Sequence, residues 1–418
     1  MGEGRLFRKL QNLYKLLNEL FHSPKNEPYK KSDFIFISHD VNKGDLFNGK
    51  AFCKILDSVQ LALLEQGFKV LCLTFPDCNL IGDKTWNYVL SIKREYIRSA
   101  IKNMIKRKFL ANNKFENYFK LILDVVQPRA VVGMNLNDDI ILAARELGIP
   151  TVEVLHGLGY VPPLQPEWRN KPVEKLPNFF VCLDQKSYET FTQLNDKSKQ
   201  VLCKHPYYNS NFEKRHLNEF SLIGLKIRDR TIGKKIILLG LTWGYAGDHG
   251  PFVEFKDVLP NGFYPEFIED LIQNDKSCFW LIRVHPIHLR KKEQYKNLFN
   301  KLDSLMKYGN VDWEIASESP LSLLFQFVDV HLCMASMISY DAAIFGVPTL
   351  FMCPITFKDR LGNYPFKELI DRGYANVALP NDTYYITDWI SQNLSKKREK
   401  FQLNDSCLSV SDFLTNIN

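Results

Sequence analysis

The strongest constraint on this chain is a repeating order of short apolar runs, rich in β-branched residues, separated by helical stretches. "FIFISH" (34–39) is followed by the helical "AFCKILDSVQLALLEQG" and then by the strand-like "KVLCLTF". After a basic helical region (92–127) come "AVVGMN", "DDIILAARELG", "TVEVLH", "FFVCLD", "QKSYETFTQL" and "QVLCK". A helix between successive strands predicts parallel pairing, and runs apolar throughout predict strands covered on both faces. The order pauses in a polar, charged stretch near 209–234. It restarts with "KKIILLGLTW", "YPEFIEDLIQN", "CFWLIRVHP", "SLLFQFVDVHLCM", "SYDAAIFG" and "VPTLFM". At 418 residues the chain is too long for one ordinary core. The spacing therefore predicts two α/β units: 29–225 and 226–390, preceded by an amphipathic helix (1–28) and followed by a helical tail (391–418).

Composition narrows the class. The chain is 45% hydrophobic and 24% charged, with a formal charge of +7, which is the balance of a globular protein. Much of the basic excess lies at the ends, in "GRLFRKLQNLYKLL" and "SKKREK". Leu6, Leu10, Leu13, Leu16, Leu17 and Leu20 recur at helical spacing between Arg and Lys, so the first helix either packs on its own domain or lies on a membrane surface. The nine cysteines are scattered, without a CxxC pair or metal-ligand spacing, which predicts free thiols in a reducing, cytoplasmic setting. No signal peptide and no membrane-spanning run is expected. Basic and aromatic residues do not cluster as nucleic-acid binding requires, so no nucleic-acid partner is expected.

In open α/β sheets ligands bind outside the carboxyl ends of the strands, so the residues there are the candidates. The first half places Asp138, Asp139 and His156 at such ends. The second half places Thr242, Trp243 and Asp248 in "LTWGYAGDHG", Arg283, His285 and Pro286 in "RVHP", and Ser336, Ser339 and Asp341 in "MASMISYDAAIFG". An Arg and a His at a strand end can both donate to phosphate, and a Ser-rich helix start is an anion site. The bland alternatives are a capping His, a surface Arg and ordinary Ser capping. GxGxxG, GxxxxGK[ST], GxSxG and HExxH are absent, which argues against dehydrogenase, P-loop, serine-hydrolase and zincin chemistry.

Two Rossmann-like units with "LHG" in the first, and "RVHP" followed by "S-M-x-S-Y-D-A-A-x-F-G-V-P" in the second, resemble a GT-B glycosyltransferase. The resemblance is to bacterial surface-polysaccharide enzymes that use CMP-sugars: Kdo transferases of capsule and O-antigen assembly, and sialyl- and polysialyltransferases. It implies an acceptor domain first, a nucleotide-sugar domain second and a cleft between them. It also implies that His285, Pro286, Ser336 and Ser339 hold the CMP phosphate and ribose, with no metal required. Thr242, Trp243 and Asp341 fall on the nucleotide side, and Arg283 joins them on charge grounds. Ile140, in "NDDI", stands where sialyltransferases carry Gly, which favours CMP-Kdo as donor.

The implied reaction moves a sugar from that donor to a glycan or lipid-linked glycan acceptor, at the inner face of the cytoplasmic membrane. Asp248 is the expected nucleophile or base, and Asp138, Asp139 and His156 face the acceptor. Three readings compete with it: a transferase using another nucleotide sugar, a CDP-polyol phosphotransferase, and a silent scaffold of a polysaccharide complex.

Overall fold

A computed structural model of the chain describes residues 29–76, 78–93, 97–98, 114–160, 168, 170–194, 198–208, 212–242, 259, 262–353, 366–396, 398–403 and 407–417. The helix expected over 1–28, Trp243 and Asp248 lie outside the described residues.

The first sheet contains β1 (Phe34–Ser38), β4 (Val70–Thr74), β5 (Val89–Ser91), β6 (Ala130–Gly133), β7 (Thr151–Val154), β8 (Phe179–Cys182) and β9 (Lys199–Leu202), in the order β5-β4-β1-β6-β7-β8-β9. Every pairing is parallel. Ile35 of β1, for example, lies beside Leu71 on one side and Val131 on the other. All five residues of β1 are buried, as an apolar run covered on both faces must be.

The second sheet contains β10 (Lys235–Gly240), β11 (Cys278–Arg283), β12 (Val311–Asp312), β13 (Val330–Cys333), β14 (Thr349–Phe351) and β15 (Ala375–Val377), in the order β12-β11-β10-β13-β14-β15, again all parallel. The chain reverses its direction of travel across the sheet at β1 in the first domain and at β10 in the second. Those two strand ends are the topological switch points, where a crevice opens in folds of this kind.

A two-stranded antiparallel hairpin, β2 (Asp45–Phe47) and β3 (Lys50–Phe52), leaves the first sheet after β1. Its Phe47 and Phe52 join a cluster with Leu238, Phe279 and Leu281 of the second domain, so the domains share core. A second shared cluster runs from Phe34 and Val154 through Leu158 to Tyr340 and Phe366. The end of the chain returns to the first domain. Leu408 bridges to Cys203, and Phe413 of the helix Val410–Thr415 meets Phe179 edge-on at 5.3 Å. The boundaries expected at 225/226 and 390/391 fall inside the helices Leu217–Thr231 and Thr383–Asn393. Polarity marks a linker in sequence, but a linker folded as a helix carries the same polar signature.

Candidate functional site

The carboxyl ends of both sheets face one another across a cleft with two dissimilar ends. At one end the loop after β1 and residues 78–84 after β4 face the helix Pro286–Arg290 and residues 313–318, enclosing about 660 Å³. The walls include Val41, Leu80, Ile287 and Trp313, while Lys84, Arg290, Lys291 and Lys292 supply positive charge and Glu314 and Glu318 negative. At the other end the domains touch. A Cβ on Gly157 would stand 2.5 Å from the Met337 Cε, and one on Gly159 would stand 1.6 Å from the Tyr340 hydroxyl. Beyond that contact a second cavity of about 470 Å³ lies between Gln185 and Glu189 on one side and Phe366 and Arg372 on the other.

A histidine stands at each strand end beside the larger cavity: His39 lines it, and His285 precedes Pro286, which does. After β1, the His39 Nδ1 accepts from the Val41 N–H at 3.1 Å and caps the 3-10 turn Asp40–Asn42. After β11, the His285 Nδ1 accepts from the Ile287 N–H at 3.2 Å, with Pro286 occupying the first helical position where no amide is needed. That acceptance leaves the His285 proton on Nε2. Burial, and then the neighbouring His288, Arg290 and Arg283, depress His285 to about 3. Its ring is therefore neutral and carries an N–H donor without a charge.

Several residues expected to touch the donor are instead used within the fold. Arg283 is 4% exposed. Its Nη1 donates to the Ala316 and Ser319 carbonyls at 2.6 and 2.7 Å, and its Nη2 to the Gly44 carbonyl at 3.1 Å and to Asp45 at 2.6 Å. The guanidinium is thus not a phosphate clamp: it fastens the hairpin of the first domain to the second. Burial lowers Arg283 and raises Asp45 from their ordinary values, and each opposes the shift of the other. Asp341 is buried too, paired with Lys54 and accepting from the Tyr208 hydroxyl, both from the first domain. The Ser339 hydroxyl donates to the Ser336 carbonyl at 2.7 Å, and the Thr242 hydroxyl donates to the Ala335 carbonyl at 3.2 Å. Both shape the turn after β13. His285, Pro286 and Ser336 are half-buried, and Pro286 lines the larger cavity.

On the acceptor side, Asp138 and Asp139 open the helix Asp138–Glu146, which Asn137 caps by accepting from the Ile140 N–H at 3.1 Å. Partial burial pushes Asp138 up, but Lys171 and Lys175, at 2.8 and 3.1 Å, hold it below the usual carboxylate range. A carboxylate so paired is a weak base, a correction to its expected role. Asp139 is raised by partial burial and then by Glu116 and Asp138. Glu116 belongs to the helix Lys114–Val126, so Asp139 lies beside a neighbouring helix. His156 is exposed where the domains touch, and its ring bonds to the Tyr160 hydroxyl.

Sequence reading missed Arg290 and Glu153. Glu153 interrupts the apolar strand β7, and its carboxyl accepts from the Asn135 and Leu136 N–H groups at 2.5 and 2.9 Å, fixing the loop after β6. Burial pushes it up to about 7 against those bonds. An acid within an apolar run was the available signal. Among the described residues no group of three or more His, Cys, Asp and Glu could hold a metal ion, and no helix is long and apolar enough to cross a membrane.

No protein-family model matches the sequence, and no curated protein does. Solved structures do match it in fold. UDP-GlcNAc 2-epimerase from Methanocaldococcus jannaschii superposes with a TM-score of 0.52 at 15% identity, covering 90% of this chain and 96% of that one. The wall teichoic acid polymerase TagF gives 0.53 at 14% identity, covering 95% and 90%. UDP-GlcNAc 2-epimerase from Neisseria meningitidis, bound to UDP-GlcNAc, gives 0.52 at 11% identity, covering 88% and 94%. Identities this low speak for architecture and not for activity. The chain has the GT-B fold, two Rossmann-like α/β domains facing one another across a cleft.

Proposed function

We propose that this chain is a glycosyltransferase that moves a sugar, Kdo, from CMP-Kdo to a glycan or lipid-linked glycan of bacterial surface polysaccharide. The observation that carries the reading is His285: a neutral imidazole, proton on Nε2, at a strand end beside the switch point of the second sheet. A neutral donor suits a phosphate monoester that must leave, because it binds the phosphate oxygens without a full ion pair holding the product. Ser336 shares the nucleotide side with it.

The acceptor enters between the loop after β1 and the helix Pro286–Arg290, where Lys84, Arg290, Lys291 and Lys292 draw in its anionic groups. Asp248 acts at the anomeric carbon. As nucleophile its carboxylate oxygen bonds that carbon while CMP departs with the bonding pair; the acceptor oxygen then displaces it and gives its proton to the released carboxylate. As base it takes the acceptor proton in a single displacement. The basic N-terminal segment holds the enzyme beside its lipid-linked acceptor at the inner membrane face.

Calorimetry with CMP, CDP, UDP and GDP tests the donor. CMP binding is expected, weakened at least tenfold by His285→Ala, about 1.4 kcal/mol. Binding of UDP or GDP without CMP would sink the CMP assignment. The likeness to TagF favours a second reading, CDP-polyol phosphotransfer, and CDP binding with glycerol-phosphate transfer would select it. Asp248→Asn should abolish transfer, and full activity in that variant would remove Asp248 from the chemistry.

A further inference from the structure

Among the described residues two ion pairs cross the domain interface, and each takes one charge from either side. Asp45 of the β2–β3 hairpin meets Arg283 at 2.6 Å, with both side chains under one-tenth exposed. Lys54, just before the helix Leu56–Glu65, pairs with Asp341 of the helix Ile338–Ile344. The first domain thus contributes one anion and one cation, and the second contributes one cation and one anion. The pairs form a single unit: Lys54 and Asp341 both act on Asp45, and Asp341 acts on Arg283. Removing one member strands a buried charge, which costs far more than removing a balanced pair.

The second-domain members stand beside the cleft residues. Arg283 is two residues before His285, and Asp341 is two residues after Ser339, whose hydroxyl closes the turn of Ser336. We propose that Asp45 and Lys54 are positioning residues for the donor site, the first domain setting the His285 and Ser336 turns of the second through this balanced quartet. The functional half rests on the reading of those turns as the donor site, while the balance of the quartet does not.

A charge cycle on the full chain tests it: Asp45→Asn, Lys54→Met and the double variant. Three quantities are read: thermal unfolding, CMP affinity by calorimetry, and the His285 ring signal in histidine-selective NMR, assigned with His285→Gln. Asp45→Asn should lower Tm by roughly 3–6 °C, CMP affinity by about tenfold, and shift the His285 signal. The double variant keeps one cation, Arg283, and one anion, Asp341, so it is net neutral and should recover at least half of each change. Lys54→Arg should keep wild-type affinity.

Losses in the double variant that equal or exceed the sum of the single losses would overturn the balance. A His285 signal unmoved in Asp45→Asn would overturn positioning, even where Tm falls. Should Asp45→Asn not fold, Lys54→Met against Lys54→Met/Asp341→Asn repeats the cycle at the more exposed pair. If the wild-type chain binds no CMP, the donor reading fails alone, and Tm with the His285 signal still decides the quartet.

Discussion

The two ends of the cleft are built in opposite ways. Where β1 and β4 face β11 and β12, the walls stand apart around a large cavity, each wall opened by a histidine that caps its own turn. Where β7 faces β13, glycines let the domains press together until Gly159 meets the Tyr340 hydroxyl. One end is shaped for a ligand, and the other fixes how far apart the walls stand. The difference teaches that glycine in "HGLGY" serves closeness between domains, whereas histidine in "VHP" caps a turn beside an open cavity.

The sharpest way to break this contrast is Gly159→Ala. Its φ of +69° disfavours any side chain, and the new Cβ has nowhere to go because Tyr340 is 2% exposed. A loss above about 3 kcal/mol in urea unfolding is expected. Gly44→Ala, at the open end, meets only the Pro286 Cγ at 3.3 Å and should cost under about 1 kcal/mol. Equal costs at the two glycines would erase the distinction.

Acid is the next largest probe, since the open end holds neutral buried histidines. Burial depresses His288 to about 4, and His285 stands at about 3. Unfolded, both titrate near 6.5, so between that value and 3–4 the unfolded chain binds more protons. Their share of stability is whole above about pH 6.5 and is lost as pH falls toward 3–4. Glu153 opposes this, because a carboxyl raised to about 7 loses its share as pH rises from 4.5 through 7. His156, His205 and His331 are depressed as well, so five histidines stand against four raised carboxyls, Glu153, Asp45, Asp139 and Asp184, and urea midpoints should fall from pH 7 to pH 5. His288→Phe should flatten that slope, for both its ring nitrogens lack partners among the described residues. A slope unchanged in that variant would remove His288 from the account.

The smallest effect belongs to the rim. Lys291→Ala with Lys292→Ala should raise the KM for an anionic acceptor by roughly three- to tenfold at low salt, and by less at high ionic strength. A change indifferent to salt would mean that the lysines act by packing, as Lys292 over the Phe299 ring at 5.5 Å suggests.

Local sequence determined the layered architecture. "FIFIS" and "KIILLG" are apolar through their length because each is covered on both faces, and interposed helices force parallel pairing. It also marked the strand ends as the rim of the cleft, with His285 and Pro286 among the residues there. Only tertiary structure decided which polar side chains at those ends face the cleft. Arg283 and His285 are two residues apart and read alike, yet Arg283 runs beneath the hairpin to Asp45 while His285 turns into a helix cap. Asp341 looked like an acid in a helix first turn, and its partners Lys54 and Tyr208 lie 287 and 133 positions away. A residue's partner across a domain interface leaves no trace in its own neighbourhood, because periodicity encodes burial against the nearest layer and not the charge that meets it from another domain.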